Sequence, residues 1–227
     1  MAKGDRTRAD VLGAALSLAS TVGLEGLTIG KLAEHVGMSK SGLFAHFSSK
    51  DNLGVAILEE ARQRFVALVV APALKYPRGE PRLRALLEHW LAWTKSDFLP
   101  GGCIFLSASA ELDDRPGAAR DTLVASQRDW LGTLTGAARI AIEEGHFRED
   151  VDPEQLAMEI CSVSYGFHYL GRLLRDPKAE ARTKRAVERI LAAARPPAAA
   201  RPPTRVKPAP SATKPSRRRK SAAPTRH

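Results

Sequence analysis

The side chains best typed and spaced for chemistry at a polyanion lie in one stretch, TIGKLAEHVGMSKSGLFAHFSSK, from Thr28 to Lys50. Ser39, Lys40, Ser41, Phe44 and His46 fall within eight residues of one another. Hydroxyls, an ammonium, an imidazole and an aromatic ring are the groups that hydrogen-bond to base edges and phosphates or pack on a thymine methyl. Thr28 and Lys50 bracket them. A cation in the first turn of a helix opposes the helix dipole, whereas the free N–H groups of that turn attract anions. A lysine at position 50 therefore fits a place beside a phosphate.

Positioning such groups takes two short helices. Ile29, Leu32, Ala33 and Val36 follow the i, i+3, i+4, i+7 spacing that lines one helical face, with Thr28 placed as the N-cap. Gly37 ends that helix, because glycine takes the left-handed conformation beyond a helix end without steric cost. Ser39 is placed to cap the next helix, which buries Leu43 and Phe47 at i, i+4 and turns Ser39, Lys40, Ser41, Phe44 and His46 outward. Two helices across a tight turn, the second led by small polar and basic groups, form a helix-turn-helix suited to a DNA major groove. Val11, Ala15, Leu18, Ala19 and Val22 mark a supporting helix over 5–22, closed by Gly23, with Arg6 and Arg8 in its lead-in. Ser48 and Asp51 read as a capping box opening a long helix to about Val70.

The run T-I-x-x-L-A-x-x-V-G-M-S-K-S-G-L-F-x-H-F-x-S-K-x-x-L, from Thr28 to Leu53, resembles the N-terminal domain of TetR/AcrR-type transcriptional regulators. Phe44 stands where that family often carries a tyrosine whose hydroxyl touches a phosphate, so that backbone contact is missing here. The resemblance implies a double-stranded DNA operator read by a two-fold homodimer, and a pocket among the C-terminal helices that binds a small-molecule effector. It also implies that the last two helices, 153–175 and 177–194, supply the dimer interface as a four-helix bundle. Effector binding would change the separation of the two recognition helices, which must meet major grooves about one helical turn apart or a multiple of that.

A second group of residues suits ligand binding. Trp90, Trp93, Phe105, Trp130, Tyr165 and Tyr169 concentrate in the C-terminal half with His168 and Cys103, the mix of apolar walls and polar handles a pocket needs; taken singly, each aromatic fits an ordinary core better than a pocket wall. Cys103 follows Pro100, Gly101 and Gly102 at an expected helix N-terminus, where the local positive potential can lower a thiol pKa, and some regulators of this type sense electrophiles through a cysteine in such a context. Burial as a small hydrophobe is its other reading, and Cys161, flanked by apolar residues, reads as core.

Catalysis finds no scaffold. The sequence contains no G-x-S-x-G elbow, no G-x-x-x-x-G-K-[ST] loop, no H-E-x-x-H and no C-x-x-C, and neither a cofactor nor a metal is expected. Glu143 and His146, three apart near a helix end, have a spacing that could share a metal, but a solvated helix terminus is the favoured reading. No stretch approaches a membrane span and the N-terminus has no apolar leader, so a cytoplasmic, non-membrane protein is expected.

The 227 residues carry a formal charge of +10, unevenly placed. Of 35 Lys and Arg, ten lie between Arg195 and His227 with no Asp or Glu among them, which leaves residues 1–194 formally neutral. DNA affinity in the folded part must then come from local clustering. Proline, alanine, arginine and lysine dominate 195–227, which is too poor in large apolar groups to offset chain entropy and is expected to be a disordered basic tail. Further helices are expected near 80–99, after Cys103, from about Asp114 to Gly145, from Asp152, and from Asp176 to about 194. The expectation is an all-α fold of about nine helices: a helix-turn-helix DNA-binding domain (1–50), a helical effector-binding and dimerisation domain (51–194) and the tail (195–227). A different function compatible with the tail is an architectural protein binding DNA largely without sequence preference.

Overall fold

The computed structural model describes residues 3–197. The side chain of Arg6, and the basic segment beyond Pro197, lie outside the described residues. Every regular element described is a helix, nine in all once two π turns are joined to the helices they prolong.

α1 (Lys3–Gly26) buries Val11, Leu12, Ala15, Leu16 and Ala19. Gly23, at φ 78°, breaks it where the sequence placed its end, and one more turn follows. α2 (Ile29–Val36) begins under Thr28, whose hydroxyl accepts from the Lys31 N–H at 3.2 Å, and stops at Gly37 with φ 67°. α3 (Lys40–Phe47) begins under Ser39, which accepts from the Gly42 N–H at 3.1 Å, and ends at Ser48 with φ 59°.

α4 starts at Lys50–Phe65 and continues through a π turn (Val66–Val70) and a final turn (Ala71–Ala73). Its cap is Ser49, not Ser48: the Ser49 hydroxyl accepts from the Asn52 N–H at 3.0 Å, while Ser48 is taken up in the left-handed end of α3. Asp51 has a different task, described below.

α5 (Glu80–Trp93), α6 (Ile104–Leu112) and α7 (Ala118–Glu143) follow. α7 starts at Ala118 rather than near Asp114, so Pro116 precedes the helix instead of occupying its first turn. α8 (Pro153–His168, prolonged by a π turn Tyr169–Leu173) is capped by Asp152, which accepts from Glu154 and Gln155. α9 (Ala179–Ala194) closes the fold. Arg195, the first residue of the range read as tail, is bound to the body: its Nε donates to Glu80 Oε2 at 2.9 Å and its Nη1 lies 3.2 Å from Glu188. Burial alone would push the Glu80 carboxyl up, but hydrogen bonds from Arg195 and Arg84 outweigh it and hold the group below the usual carboxylate range.

Two apolar cores result. One runs from Leu16, Leu32, Leu43 and Phe47 through Leu53 and Leu58 to Trp93, Ile104, Phe105 and Leu123. The other gathers Leu83, Leu86, Leu134, Phe147, Leu156, Ile160 and Leu191. The first core crosses residue 50 without a gap, because α4 packs against α1 on one side and α7 on the other. The helix-turn-helix is therefore fastened to the rest by shared burial, not by a linker.

Candidate functional site

The outward side of α3 carries the groups expected there. Leu43 and Phe47 are fully buried, and Lys40, Ser41, Phe44 and His46 are exposed, with Phe44 at 53%. Ser39 and Thr28 are exposed too, but their hydroxyls are engaged in capping, and Ser39 Oγ also lies 3.2 Å from Ser41 Oγ. The Lys40 side chain lies back over Gly30 of α2, its Cε 3.3 Å from where a Cβ on that residue would stand. Arg8 sits over the Phe47 ring at 5.7 Å, a cation–π contact that ties the start of α1 to α3.

Lys50 has protein partners. Its Nζ lies 2.8 Å from the Glu25 carbonyl and 3.0 Å from Glu25 Oε2, and Arg115 reaches the same carboxylate at 2.8 Å. The Lys50 hydrogen bond holds the Glu25 carboxyl below its ordinary range, outweighing the opposing effect of burial with further help from the Lys50 and Arg115 charges. Glu111 on α6 accepts from the Glu25 N–H at 2.8 Å. The positive φ favours glycine at position 23, and the absent Cβ leaves room for the Glu111 carboxylate, whose Oε1 lies 2.5 Å from where that atom would stand. One residue past Lys50, Asp51 accepts from Ala118 and Ala119 at 3.2 and 3.3 Å. Gly117 offers no side chain to cap α7, so α4 supplies the carboxylate.

A cavity of about 130 Å³ lies among α4, α5, α6, α7 and α8. Phe65, Trp90, Phe105 and Trp130 form much of its wall, and Phe65 is its hub, edge-on to Trp130 at 5.0 Å, Trp93 at 5.3 Å and Phe105 at 5.8 Å. At its polar side the Gln127 amide donates to the Phe105 carbonyl, Ser109 Oγ and Tyr165 Oη at 3.3, 3.1 and 3.3 Å, and Ser109 and Tyr165 are 3.0 Å apart. Arg62 and Asp129 also border it, paired at 3.0 Å between α4 and α7.

Of the residues proposed from sequence, Trp90, Cys103, Phe105, Trp130 and Tyr165 line this cavity. Trp93 does not; it is 2% exposed behind the wall, and its indole N–H makes no hydrogen bond of normal geometry among the described residues. His168 opens instead onto a groove of about 450 Å³ with Lys95, Asp97 and Arg172, which shares Cys103 and Leu106 with the aromatic cavity. Burial, then the nearby Arg172, keeps its imidazole below the ordinary histidine range. Tyr169 stands on the outer surface. Sequence reading missed the α4 wall, Phe65 above all, and the polar groups of α7, among them Gln127 and Asp129; Cys161, read as core, also lines the cavity. The spacing of 62, 66 and 70 on α4, and of 126, 130 and 133 on α7, marks two helical stripes, but which stripe faces a void follows only from packing.

Cys103 is the N-cap residue of α6, as expected, yet it is 3% exposed. Burial pushes its thiol up, and weaker opposing pulls from Trp93 and from backbone N–H groups do not reverse this. Burial likewise pushes Cys161, on the same cavity, up to about 11. His146, weighed with Glu143 as a pair, instead accepts from the Glu80 N–H at 3.2 Å and caps α5, while Glu143 pairs with Arg78. Among the described residues, no group of three or more His, Cys, Asp or Glu is placed to hold a metal ion, and no helix is long and apolar enough to cross a membrane.

Comparison with known proteins matches this anatomy. Residues 11–57 match the bacterial regulatory proteins of the tetR family, and residues 79–187 match the tetracyclin repressor-like C-terminal domain. The HTH-type transcriptional repressor AcnR of Corynebacterium diphtheriae is 36% identical over 85 residues, 37% of this chain and 45% of that protein. The match thus spans less than half of that relative's length. A TetR transcriptional regulator of Chloroflexus aurantiacus is 26% identical with a TM-score of 0.72, over 85% of this chain and 96% of that one. AibR, solved with isovaleryl coenzyme A and operator DNA, is 25% identical with a TM-score of 0.64, over 85% and 99%. A helix-turn-helix fastened by α4 to a helical domain with its own cavity, matched by both halves of one family, places this chain in the TetR family of transcriptional regulators.

Proposed function

We propose that the chain represses transcription as a two-fold homodimer on a palindromic operator and is released by a small, non-covalent effector. The observation that carries this reading is the outward turn of α3: Lys40, Ser41, Phe44 and His46 exposed above a fully buried Leu43 and Phe47. In this reading Lys40 and Ser41 meet base edges, Phe44 packs against sugar or a thymine methyl, and His46 and Lys50 meet phosphate. Thr28 and Ser39 fix the two helix starts and present their exposed hydroxyls to the same backbone.

The effector site is the aromatic cavity. At about 130 Å³ it suits a compact, mostly apolar molecule, since a cavity of roughly 150 Å³ accommodates benzene. Gln127 and Tyr165, hydrogen-bonded to each other and to Ser109, supply one polar end of its lining. Burial of Cys103 and its raised pKa argue against release by covalent attack on that thiol. AibR was solved with both an acyl thioester and DNA, which is in keeping with a ligand-responsive regulator of this shape.

The dimer face is the outer side of α8, with α9 beside it. Met158, Tyr165, Tyr169 and Leu173 are exposed there, Leu173 at 71%, at spacings that keep them near one side of the helix. Tyr165 belongs to both this stripe and the cavity, so a ligand that displaces it would alter the interface directly. The test is binding-site selection with the purified full chain from random duplex DNA. A two-fold site with half-sites about one turn apart, or a multiple of it, is expected. Uniform binding to all duplexes would replace the repressor with an architectural role.

A further inference from the structure

The junction beneath α3 contains three charges in an arrangement the DNA-binding role does not by itself require. Lys50 and Arg115 share one carboxylate, Glu25, at 3.0 and 2.8 Å. The three belong to different parts of the fold: Glu25 near the end of α1, Lys50 at the start of α4, and Arg115 in the connection between α6 and α7. All are partly exposed, so none is a buried structural pair.

We propose that Glu25 and Arg115 are positioning residues for the phosphate contact of Lys50, with Arg115 setting how firmly Glu25 retains that lysine. This rests on the reading of Lys50 given above. A carboxylate with two cations can release one and stay neutralised by the other. When Lys50 turns to a phosphate, Arg115 remains on Glu25 and screens it from the approaching DNA. Without Arg115, Glu25 is left as a bare negative charge that both competes for Lys50 and repels the phosphate. Arg115 thus favours DNA binding without touching DNA. Its segment leads within three residues to the start of α7, whose first N–H groups are held by Asp51, the neighbour of Lys50. Farther along, Gln127, Asp129 and Trp130 of the same helix line the cavity. The triad therefore joins the helix that senses the cavity to the lysine at the DNA side of the junction.

The test is an epistasis measurement on the full chain with its selected operator, across a range of salt. Arg115→Ala should weaken operator binding by about three- to tenfold for a dimer carrying two triads, since an exposed pair is worth up to about fivefold. It should also lower the salt slope, because one phosphate contact contributes about 1 to that slope. Adding Glu25→Gln to Arg115→Ala should restore both. Unaltered thermal melts would show that the variants fold. If Lys50→Ala lowers the slope but Arg115→Ala changes nothing, the positioning role is overturned and the phosphate reading stands. A double variant as weak as Arg115→Ala likewise overturns it. If Lys50→Ala leaves the slope unchanged, the phosphate reading falls and the positioning role with it.

Discussion

The DNA-facing pair α2–α3 and the cavity between α4 and α7 are assembled from different ranges of sequence. In the pair, each task is set by neighbours within four residues: Thr28 caps through the Lys31 N–H, Ser39 through the Gly42 N–H, and Gly37 supplies the positive φ of the turn. In the cavity, Phe65, Trp90, Phe105, Trp130 and Tyr165 come from five helices, and none meets another within a single turn. The first region is a local code that burial completes. The second exists only once long helices are packed, and part of its wall, Val66 and Val70, comes from the π turn that prolongs α4.

The largest expected effect bears on whether the two regions are mechanically separate. Phe65 is edge-on to three rings, so Phe65→Ala should cost about 3 to 5 kcal/mol. Leu43→Ala, at a fully buried site in α3, should cost about 2 to 5 kcal/mol. Since Leu43 and Phe65 belong to one continuous core, both variants should melt in a single transition at lower temperature. Two transitions, with only the earlier one moved by Leu43→Ala, would show that the helix-turn-helix unfolds independently and would break the link through α4.

Legibility follows the same division. The caps at Thr28 and Ser39, the helix start at Asp152, the turn at Gly37 and the apolar faces of α2 and α3 were readable because each rests on contacts a few residues apart. Asp51 was misread for the opposite reason. Three residues after Ser48 it satisfies the capping-box spacing, but its carboxylate turns to Ala118 and Ala119, more than sixty residues away, where Gly117 leaves α7 uncapped. Cys103 was read correctly as to position, at a helix start, but helix potential and burial act oppositely on a thiol, and sequence does not say which is larger. Trp93 and Trp90, three apart on α5, divide between wall and interior, a distinction that aromatic content alone does not make.

Smaller effects sharpen the contrast within the DNA-facing unit. Lys40→Ala should alter the preferred base at one half-site position, costing on the order of 1 to 3 kcal/mol against the best operator and little against others. Binding measured over a set of single-base operator variants decides this; an equal loss on every variant would make Lys40 a backbone contact. Thr28→Ala removes a cap and should lower stability by about 1 kcal/mol, whereas Thr28→Asn retains a capping side chain and should melt like the parent. If Thr28→Asn is stable yet binds the operator poorly, the hydroxyl meets DNA in addition to capping.

The smallest expected effect concerns the two thiols, and it separates a cavity that binds reversibly from one that senses electrophiles. Both cysteines line the same cavity, Cys103 fully buried and Cys161 partly so. The thiolate is the reactive form, and burial holds both groups above the ordinary value near 8.5, so each should react more slowly at neutral pH than a free cysteine. For Cys161, with its pKa pushed up to about 11, the thiolate fraction and hence the alkylation rate should rise about tenfold per pH unit from about pH 7 to about pH 10. Cys103 should lag behind it, because a reagent must also enter the core. Cys103→Ser should bind operator within about twofold of the parent, and treatment with a small alkylating agent at neutral pH should release neither protein faster than the other. Mass-resolved alkylation alongside operator binding provides the measurement. Rapid modification of Cys103 with release of the parent alone would show that the cavity opens far enough to expose its thiol, and the effector would then be an electrophile.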